Sequence, residues 1–69
     1  MKLAERMKEL RAERNLSQGK LAADLHIGIA TYCRYEQGMR EPTASVLDRM
    51  ADYYDVSVDY LLGRSDDRK

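Results

Sequence analysis

Few side chains in this sequence of 69 residues could perform covalent or acid–base catalysis. There is one histidine, His26, and one cysteine, Cys33, and neither belongs to a Ser/His/Asp arrangement, a glycine-rich phosphate loop or a metal-ligand spacing. A redox switch at Cys33 is conceivable beside Arg34, but a lone cysteine on a helix is far more often an inert small residue. The sequence therefore predicts a protein that is not an enzyme and that requires no metal and no cofactor.

The most informative stretch is GIATYCRYEQG, residues 28–38, which predicts one short helix over residues 29–37 that stops at the last glycine. Its two tyrosines lie three residues apart and share one face, while Arg34 points elsewhere. In two-helix DNA-binding motifs, the start of such a helix usually presents amides and hydroxyls to base edges. This helix begins with Ile29 and Ala30 instead, so any recognition of bases requires a different chemistry.

Length and composition indicate one small all-helical domain. A single cysteine cannot form an internal disulfide, so stability must come from packed helices. One proline and four glycines leave room for helical runs. No apolar run approaches the ~20 residues of a membrane span and no signal peptide precedes the first helix. We therefore expect a soluble, cytoplasmic protein with no membrane partner.

The net charge is zero, but basic and acidic residues are unevenly distributed. Residues 1–34 carry seven basic against four acidic residues, a balance of +3, and residues 35–69 carry five against eight, a balance of −3. This distribution suits a small nucleic-acid-binding face with a solvated acidic back. A chance dipole is also common on small domains, so charge alone does not decide the function.

Apolar periodicity and capping residues predict five short helices joined by tight turns. The first helix covers residues 2–14, and Asn15 follows it where a residue tolerant of positive φ is needed. Ser17, Thr43 and Ser57 are the predicted N-caps of the second, fourth and fifth helices.

The same pattern defines the predicted domain boundaries. The folded domain is expected over residues 1–63, and residues 64–69 are expected to form a polar, frayed C-terminal tail. The inner face of the fourth helix is predicted to consist of five residues: Ala44, Leu47, Met50, Ala51 and Tyr54.

Four short motifs in a fixed order carry a family likeness: LSQ at the start of the second helix, RYEQG at the end of the third, REPT before the fourth, and DVSVDYLLG near the end. From about Leu10 to Gly63 the sequence resembles the Cro/C1 (Xre) family of helix-turn-helix domains. The resemblance implies an all-α fold, a compact five-helix lambda-repressor-like domain. Its second and third helices would form the helix-turn-helix, with the third helix in the major groove of DNA.

Three positions depart from the family pattern. His26 stands where the family usually has glycine in the turn, and left-handed backbone costs an L-residue roughly 1–2 kcal/mol. Gly28 replaces a Ser or Thr cap of the third helix and supplies no side-chain acceptor. Tyr32 replaces an aliphatic core residue, so its hydroxyl must reach the surface or find a partner.

The resemblance implies that base edges are read by four outward side chains: Gln18, Ile29, Ala30 and Arg34. Arg34 can donate two parallel hydrogen bonds to guanine O6 and N7, and the apolar pair can pack on thymine methyl groups. An exposed Ile-Ala pair could instead mark a protein contact. We favour DNA.

Candidates for phosphate contacts flank the same helix: Arg14, Gln18, Thr31, Gln37 and Arg40. Gln18 could otherwise be merely a polar helix start. The other four are by default solvated surface residues, and we expect only two or three of their contacts to form, with Lys20 as a further candidate in the same field.

The resemblance also implies an ion pair between Arg11 on the first helix and Glu36 on the third. Charges close to the apolar stripes of two packed helices are tolerated only if they are paired. The alternative is two exposed charges.

These features imply a prokaryotic or phage-type transcriptional regulator, such as a repressor, that binds a palindromic operator of double-stranded DNA as a homodimer. Dimerisation is expected through the C-terminal helices, with Tyr53, Val58, Tyr60 and Leu61 as candidates, although each could belong to the core. The alternative function is a protein-interaction module of the same fold, an antitoxin or anti-repressor, with weak or no DNA binding.

Overall fold

The computed structural model describes residues 1–69 as five helices without a strand. The helices are α1 (Leu3–Glu13), α2 (Gln18–Asp24), α3 (Ile29–Glu36), α4 (Ala44–Tyr54) and α5 (Val58–Leu62). This confirms the predicted all-α, five-helix fold. The first helix is shorter than the predicted 2–14, and the third ends one residue before the predicted 37. None of the helices is long and apolar enough to cross a bilayer.

All five helices end in the same way, with one residue in the left-handed region: Asn15, His26, Gly38, Asp55 and Gly63. The backbone N–H of that residue and the next N–H both return to carbonyls of the last turn. After α2, for example, His26 donates to the Ala23 carbonyl at 3.1 Å and Ile27 donates to the Ala22 carbonyl at 3.0 Å. The strained positions expected at Asn15 and His26 are confirmed, with φ of 54° and 59°.

Side-chain caps fix three of the helix starts. The hydroxyls of Ser17, Thr43 and Ser57 accept the backbone N–H of the residue three positions later, at 3.0, 3.3 and 2.9 Å respectively. These are the three predicted N-caps, and all are confirmed. Gly28 precedes α3 and supplies no side-chain hydrogen bond.

The core forms where α1 packs against α3 and α5, α2 packs against α3, and α4 packs against α5. Its most deeply buried side chains are Tyr32, Met7, Leu21, Leu25, Met50 and Leu61. On α4 the predicted inner face is wrong at one position, since Ala44 is exposed and Val46 is buried. Ala44 is the first residue of α4 and precedes the turn that reaches the core.

Arg6 is a buried cation that the sequence pattern does not identify. Only 8% of it is exposed. Its guanidinium lies 4.0 Å from the centroid of the Tyr60 ring and donates to the carbonyls of Tyr60 at 3.1 Å and Ser65 at 3.2 Å. It also pairs with the Asp66 carboxylate at 2.9 Å. A buried guanidinium is stable only when its N–H donors have acceptors. Arg6 finds two of them after α5 and so holds those residues against α1.

Residues 64–69, expected from composition to form a frayed tail, thus make defined contacts with the rest of the domain. Beyond the contacts of Arg6, the Arg68 guanidinium pairs with both carboxylate oxygens of Glu13, at 2.8 and 2.6 Å. The Arg68 carbonyl accepts the backbone N–H of Ser57. Exposed ion pairs contribute little to stability, so the buried Arg6 is the main anchor of this segment.

Candidate nucleic-acid interface

The inner and outer faces of α3 have different chemistry. Tyr32 and Tyr35 are 0% and 5% exposed and pack this helix into the core. On the outer face, Ile29, Ala30 and Arg34 are exposed, as predicted for a helix that could enter a groove. The geometry therefore leaves an apolar first turn and a cationic last turn of α3 open to solvent.

Ile29 lies close to the first turn of α2. Its Cδ1 lies 3.5 Å from the position that a Cβ atom would occupy on Gly19, in the first turn of α2. The side chain thus lies near the start of α2, and 55% of the residue stays exposed.

Two side chains of α4 hold the end of α2. Arg49 donates to the carbonyl of Leu25 at 2.7 Å, at the end of α2. The Tyr53 hydroxyl donates to the Asp24 carboxylate at 2.8 Å, and the same carboxylate pairs with Lys20 at 2.9 Å. Lys20 is therefore partly neutralised within its own helix.

Among the arginines, Arg34, Arg40 and Arg64 make no side-chain hydrogen bond or ion pair. The first two lie in the last turn of α3 and in the loop that follows it, and both are exposed. Nearby, Gln37 is exposed and Thr31 is half-buried. Arg34 and Arg40 are thus the arginines near α3 whose side chains have no hydrogen-bond or ion-pair partner within the domain.

Arg14, another predicted phosphate contact, lies apart from this group. Its guanidinium donates to the carbonyls of Tyr53 at 3.1 Å and Tyr54 at 3.2 Å, at the end of α4. It also lies 5.2 Å from the Tyr54 ring centroid. A cation on the last carbonyls of a helix stabilises that helix end, so Arg14 already has a structural role.

Glu36 is the centre of a hydrogen-bond network that joins α1, α2 and α3. The structure brings it together with Arg11, whose guanidinium donates to the two carboxylate oxygens at 2.7 and 3.1 Å. The Tyr32 hydroxyl donates to the same carboxylate, which resolves the question of its partner. Gln18 Nε2 is a further donor at 3.2 Å. Glu36 is only 4% exposed, so this is a buried charge with several partners.

The network determines the protonation states of its members. Burial would raise the pKa of Glu36, but hydrogen bonds from Arg11, Tyr32 and Gln18 outweigh it and hold that pKa below its ordinary value of 4.5. Burial and the hydrogen bond to Glu36 raise the pKa of the Tyr32 hydroxyl far above its ordinary range. The carboxylate therefore stays ionised and accepts, while the tyrosine stays protonated and donates.

The position of Gln18 differs from the outward one expected. The residue is half-buried, and its side chain turns toward α3. Nε2 bonds to Glu36, and Oε1 accepts a hydrogen bond from the Cys33 thiol at an Sγ–Oε1 distance of 3.3 Å. Cys33 was missed as a partner, although it lies three residues before Glu36 and so shares its side of α3.

Two of the four residues expected at a dimer interface are buried. Tyr60 is 7% exposed and Leu61 is 0% exposed, so both belong to the core. Tyr53 and Val58 are half-buried and remain partly accessible.

Comparison with known families agrees with this architecture. A family model described as "Helix-turn-helix" matches residues 7–61, which include most of α1 and nearly all of α5. The chain belongs to the Cro/C1-type helix-turn-helix family. No solved structure gave a significant match.

Several bacterial and phage proteins are similar to this chain. It is 36% identical over 66 residues to the HTH-type transcriptional regulator ImmR of Bacillus subtilis, covering 96% of this chain and 52% of the relative. It is 42% identical over 60 residues to AnsR of the same species, covering 87% and 52%. It is 36% identical over 64 residues to the cryptic phage CTXphi transcriptional repressor RstR of Vibrio cholerae, covering 93% and 57%. The chain spans about half the length of the curated relatives it matches.

Proposed function

We propose that this domain binds double-stranded operator DNA in a sequence-specific manner and serves as the DNA-binding part of a cytoplasmic transcriptional regulator. The observation that carries the proposal is the outer face of α3, where Ile29, Ala30 and Arg34 are exposed while the inner face is fixed in the core. Relatives named as transcriptional regulators and as a phage repressor support it.

In this proposal the helix reads bases with one charged and two apolar side chains. Arg34 donates two hydrogen bonds to O6 and N7 of a guanine, which are both acceptors in the major groove. Ile29 and Ala30 pack on thymine methyl groups, the apolar feature of the same groove. The exposure of Ile29 supports this role, because 55% of the residue is accessible to a groove.

Arg40, Gln37, Thr31 and Gln18 are the proposed phosphate contacts. Arg40 is the strongest of these candidates, since it is exposed and has no partner in the domain. Arg14 is left out of the set because its guanidinium is held at the end of α4 by two hydrogen bonds.

The experiment is selection of duplexes from a random pool by the wild-type chain, followed by affinity measurements over a range of salt. We expect Arg34→Ala to reduce affinity about 10- to 100-fold and to relax the preference for guanine at one position. Arg40→Ala should weaken all sequences similarly and reduce the slope of log affinity against log salt by about 0.9.

Arg64→Ala is the matched control, since Arg64 is also exposed and unpaired but follows α5, which packs against α1 and α4. It should leave affinity and salt slope unchanged. A flat salt response, or equal losses for all three variants, contradicts the proposed interface.

A second copy is part of the proposal. One small domain covers a short half-site, so two domains on a palindrome, with recognition helices about 34 Å apart, would provide operator affinity. The accessible parts of Tyr53 and Val58 are the remaining candidates on the C-terminal helices. Light scattering that shows a monomer both free and on a selected duplex contradicts the homodimer.

One observation favours a second function. Ile29 is 55% exposed and Met39 is 74% exposed, and apolar residues on a surface can mark a protein contact. A protein-interaction module, such as an antitoxin or anti-repressor, is therefore the alternative. Retention of genomic DNA fragments at low salt by the wild-type chain, and its loss in Arg34→Ala, supports the DNA-binding function over this one.

A further inference from the structure

Both polar atoms of the Gln18 side-chain amide, Nε2 and Oε1, form hydrogen bonds to α3. Nε2 lies 3.2 Å from a carboxylate oxygen of Glu36, and Oε1 lies 3.3 Å from Sγ of Cys33. An ionised carboxylate only accepts hydrogen bonds, so the amide nitrogen must face Glu36. The amide oxygen then faces the Cys33 thiol, which donates. A flipped amide would place oxygen against carboxylate and lose both hydrogen bonds.

This orientation limits what Gln18 can offer to DNA. A glutamine that reads adenine uses its oxygen and one N–H together, toward N6 and N7 of the base. In this domain the oxygen and one N–H are directed at Cys33 and Glu36, which lie three residues apart on α3. One N–H of the amide is left without a partner.

We infer that Cys33 is a positioning residue for DNA binding: with Glu36 it holds Gln18 so that the amide donates a single hydrogen bond to a phosphate oxygen and does not read adenine. The inference rests on the proposed DNA-binding function. The role of Glu36 in it is shared with the stability of the fold, whereas Cys33 bonds only to Gln18 through its side chain. Cys33 is therefore the residue at which the inference can be tested.

The test compares Cys33→Ala, Cys33→Ser, Gln18→Ala and the double variant Gln18→Ala/Cys33→Ala on a duplex selected by the wild-type chain. Loss of the thiol donor should weaken binding about three- to tenfold. Serine, which restores a donor, should keep affinity within about twofold of the wild type. In the Gln18→Ala background, removal of the thiol should have no further effect. An unchanged affinity of Cys33→Ala, or the same loss in both backgrounds, overturns the inference.

Modified duplexes identify the contacted atom. One methylphosphonate linkage should weaken wild-type binding but not Gln18→Ala binding, and its effect should shrink in Cys33→Ala and return in Cys33→Ser. Substitution of 7-deazaadenine, which lacks the N7 acceptor, should affect the wild type and Gln18→Ala equally. An adenine whose replacement weakens only the wild type overturns the inference.

Nuclear magnetic resonance of the free domain separates this inference from the proposed function. The Gln18 side-chain amide should be as ordered as the backbone in the wild type and in Cys33→Ser, and mobile in Cys33→Ala. If the wild-type chain selects no duplex, the DNA-binding proposal fails on its own. An amide whose relaxation is unchanged in Cys33→Ala overturns the role of Cys33 whether or not DNA binds.

Discussion

The carboxylate of Glu36 is the residue-scale feature on which the helix-turn-helix depends. It is nearly inaccessible, yet it receives donors from α1, α2 and α3. A buried charge is tolerated only with its partners in place, and removal of one partner leaves an uncompensated group. The network therefore links the stability of the fold to the orientation of α3.

Arg11→Met should destabilise the domain by about 2–4 kcal/mol, because Glu36 would lose two charge-assisted hydrogen bonds inside the protein. Thermal denaturation followed by circular dichroism measures the effect. Arg11→Lys keeps the charge but not the bidentate geometry, so its stability should lie between those of the wild type and Arg11→Met. A melting temperature equal to the wild type would show that the pair contributes nothing.

The lowered pKa of Glu36 predicts a specific pH dependence of stability. Its contribution is fully present above the unfolded carboxyl pKa, near 4.5, and is lost as pH falls through the lower folded pKa. The stability difference between wild type and Glu36→Gln should therefore shrink as pH falls below 4.5. Urea unfolding from pH 7 to pH 3 measures it. Glu41→Gln, at an exposed carboxylate without a hydrogen bond, is the matched control for the loss of one negative charge.

At the scale of elements, short helices are terminated by left-handed residues, of which Asn15, His26 and Asp55 are not glycine. Asparagine, aspartate and histidine tolerate this region better than other side chains, but glycine occupies it without strain. His26 is in the turn of the helix-turn-helix itself, so the strain lies next to the proposed DNA-binding helix.

His26→Gly should stabilise the domain by about 0.5–1 kcal/mol, since relief of roughly 1–2 kcal/mol of left-handed strain exceeds the entropy gained by the unfolded chain. A rise of a few degrees in melting temperature is expected for a domain of this size. Gly63→Ala is the opposite case, because its φ is +78° and a Cβ would lie 2.8 Å from Lys2 Cβ. A lower melting temperature for His26→Gly would contradict the strain argument.

The elements were predictable because their signals are local. Ser17 caps α2 through the backbone three residues away, and Asn15 ends α1 through its own φ. The contacts of Arg6 join residues 54 to 60 positions apart, and no local periodicity records them. The link between Gln18 and Cys33 likewise depends on the packing of α2 on α3. Sequence reasoning therefore predicted the outer face of α3 and, through the family resemblance, the Arg11–Glu36 pair, but not the hydrogen bonds of Gln18 to Cys33 and Glu36.

At the scale of the whole molecule, α1 joins the two ends of the chain: it is the N-terminal helix, and the C-terminal residues contact it. It contacts α3 on one side and α5 on another, and Arg6 fastens the last residues to it. Residues 64–69 thus contact the folded domain through the Arg68 carbonyl at Ser57 and the Arg68 guanidinium at Glu13, which their composition did not predict.

Deletion of residues 64–69 should lower stability by about 1–3 kcal/mol, because the buried guanidinium of Arg6 would lose two of its acceptors. Urea unfolding of the shortened chain measures this. In an Arg6→Met background the same deletion should cost much less, as the two changes remove one shared interaction. A truncated chain as stable as the full one would show that the segment contributes nothing.

The outer side chains of α3 have a consequence for how such a protein could change its target. Ile29, Ala30 and Arg34 make no side-chain hydrogen bond to the rest of the domain, and none of them belongs to the core. Substitution of these three residues should leave the melting temperature of the domain almost unchanged. Under the proposed function, new operator preferences could therefore arise in evolution, or be engineered, by substitution of these three residues while the rest of the domain stays the same.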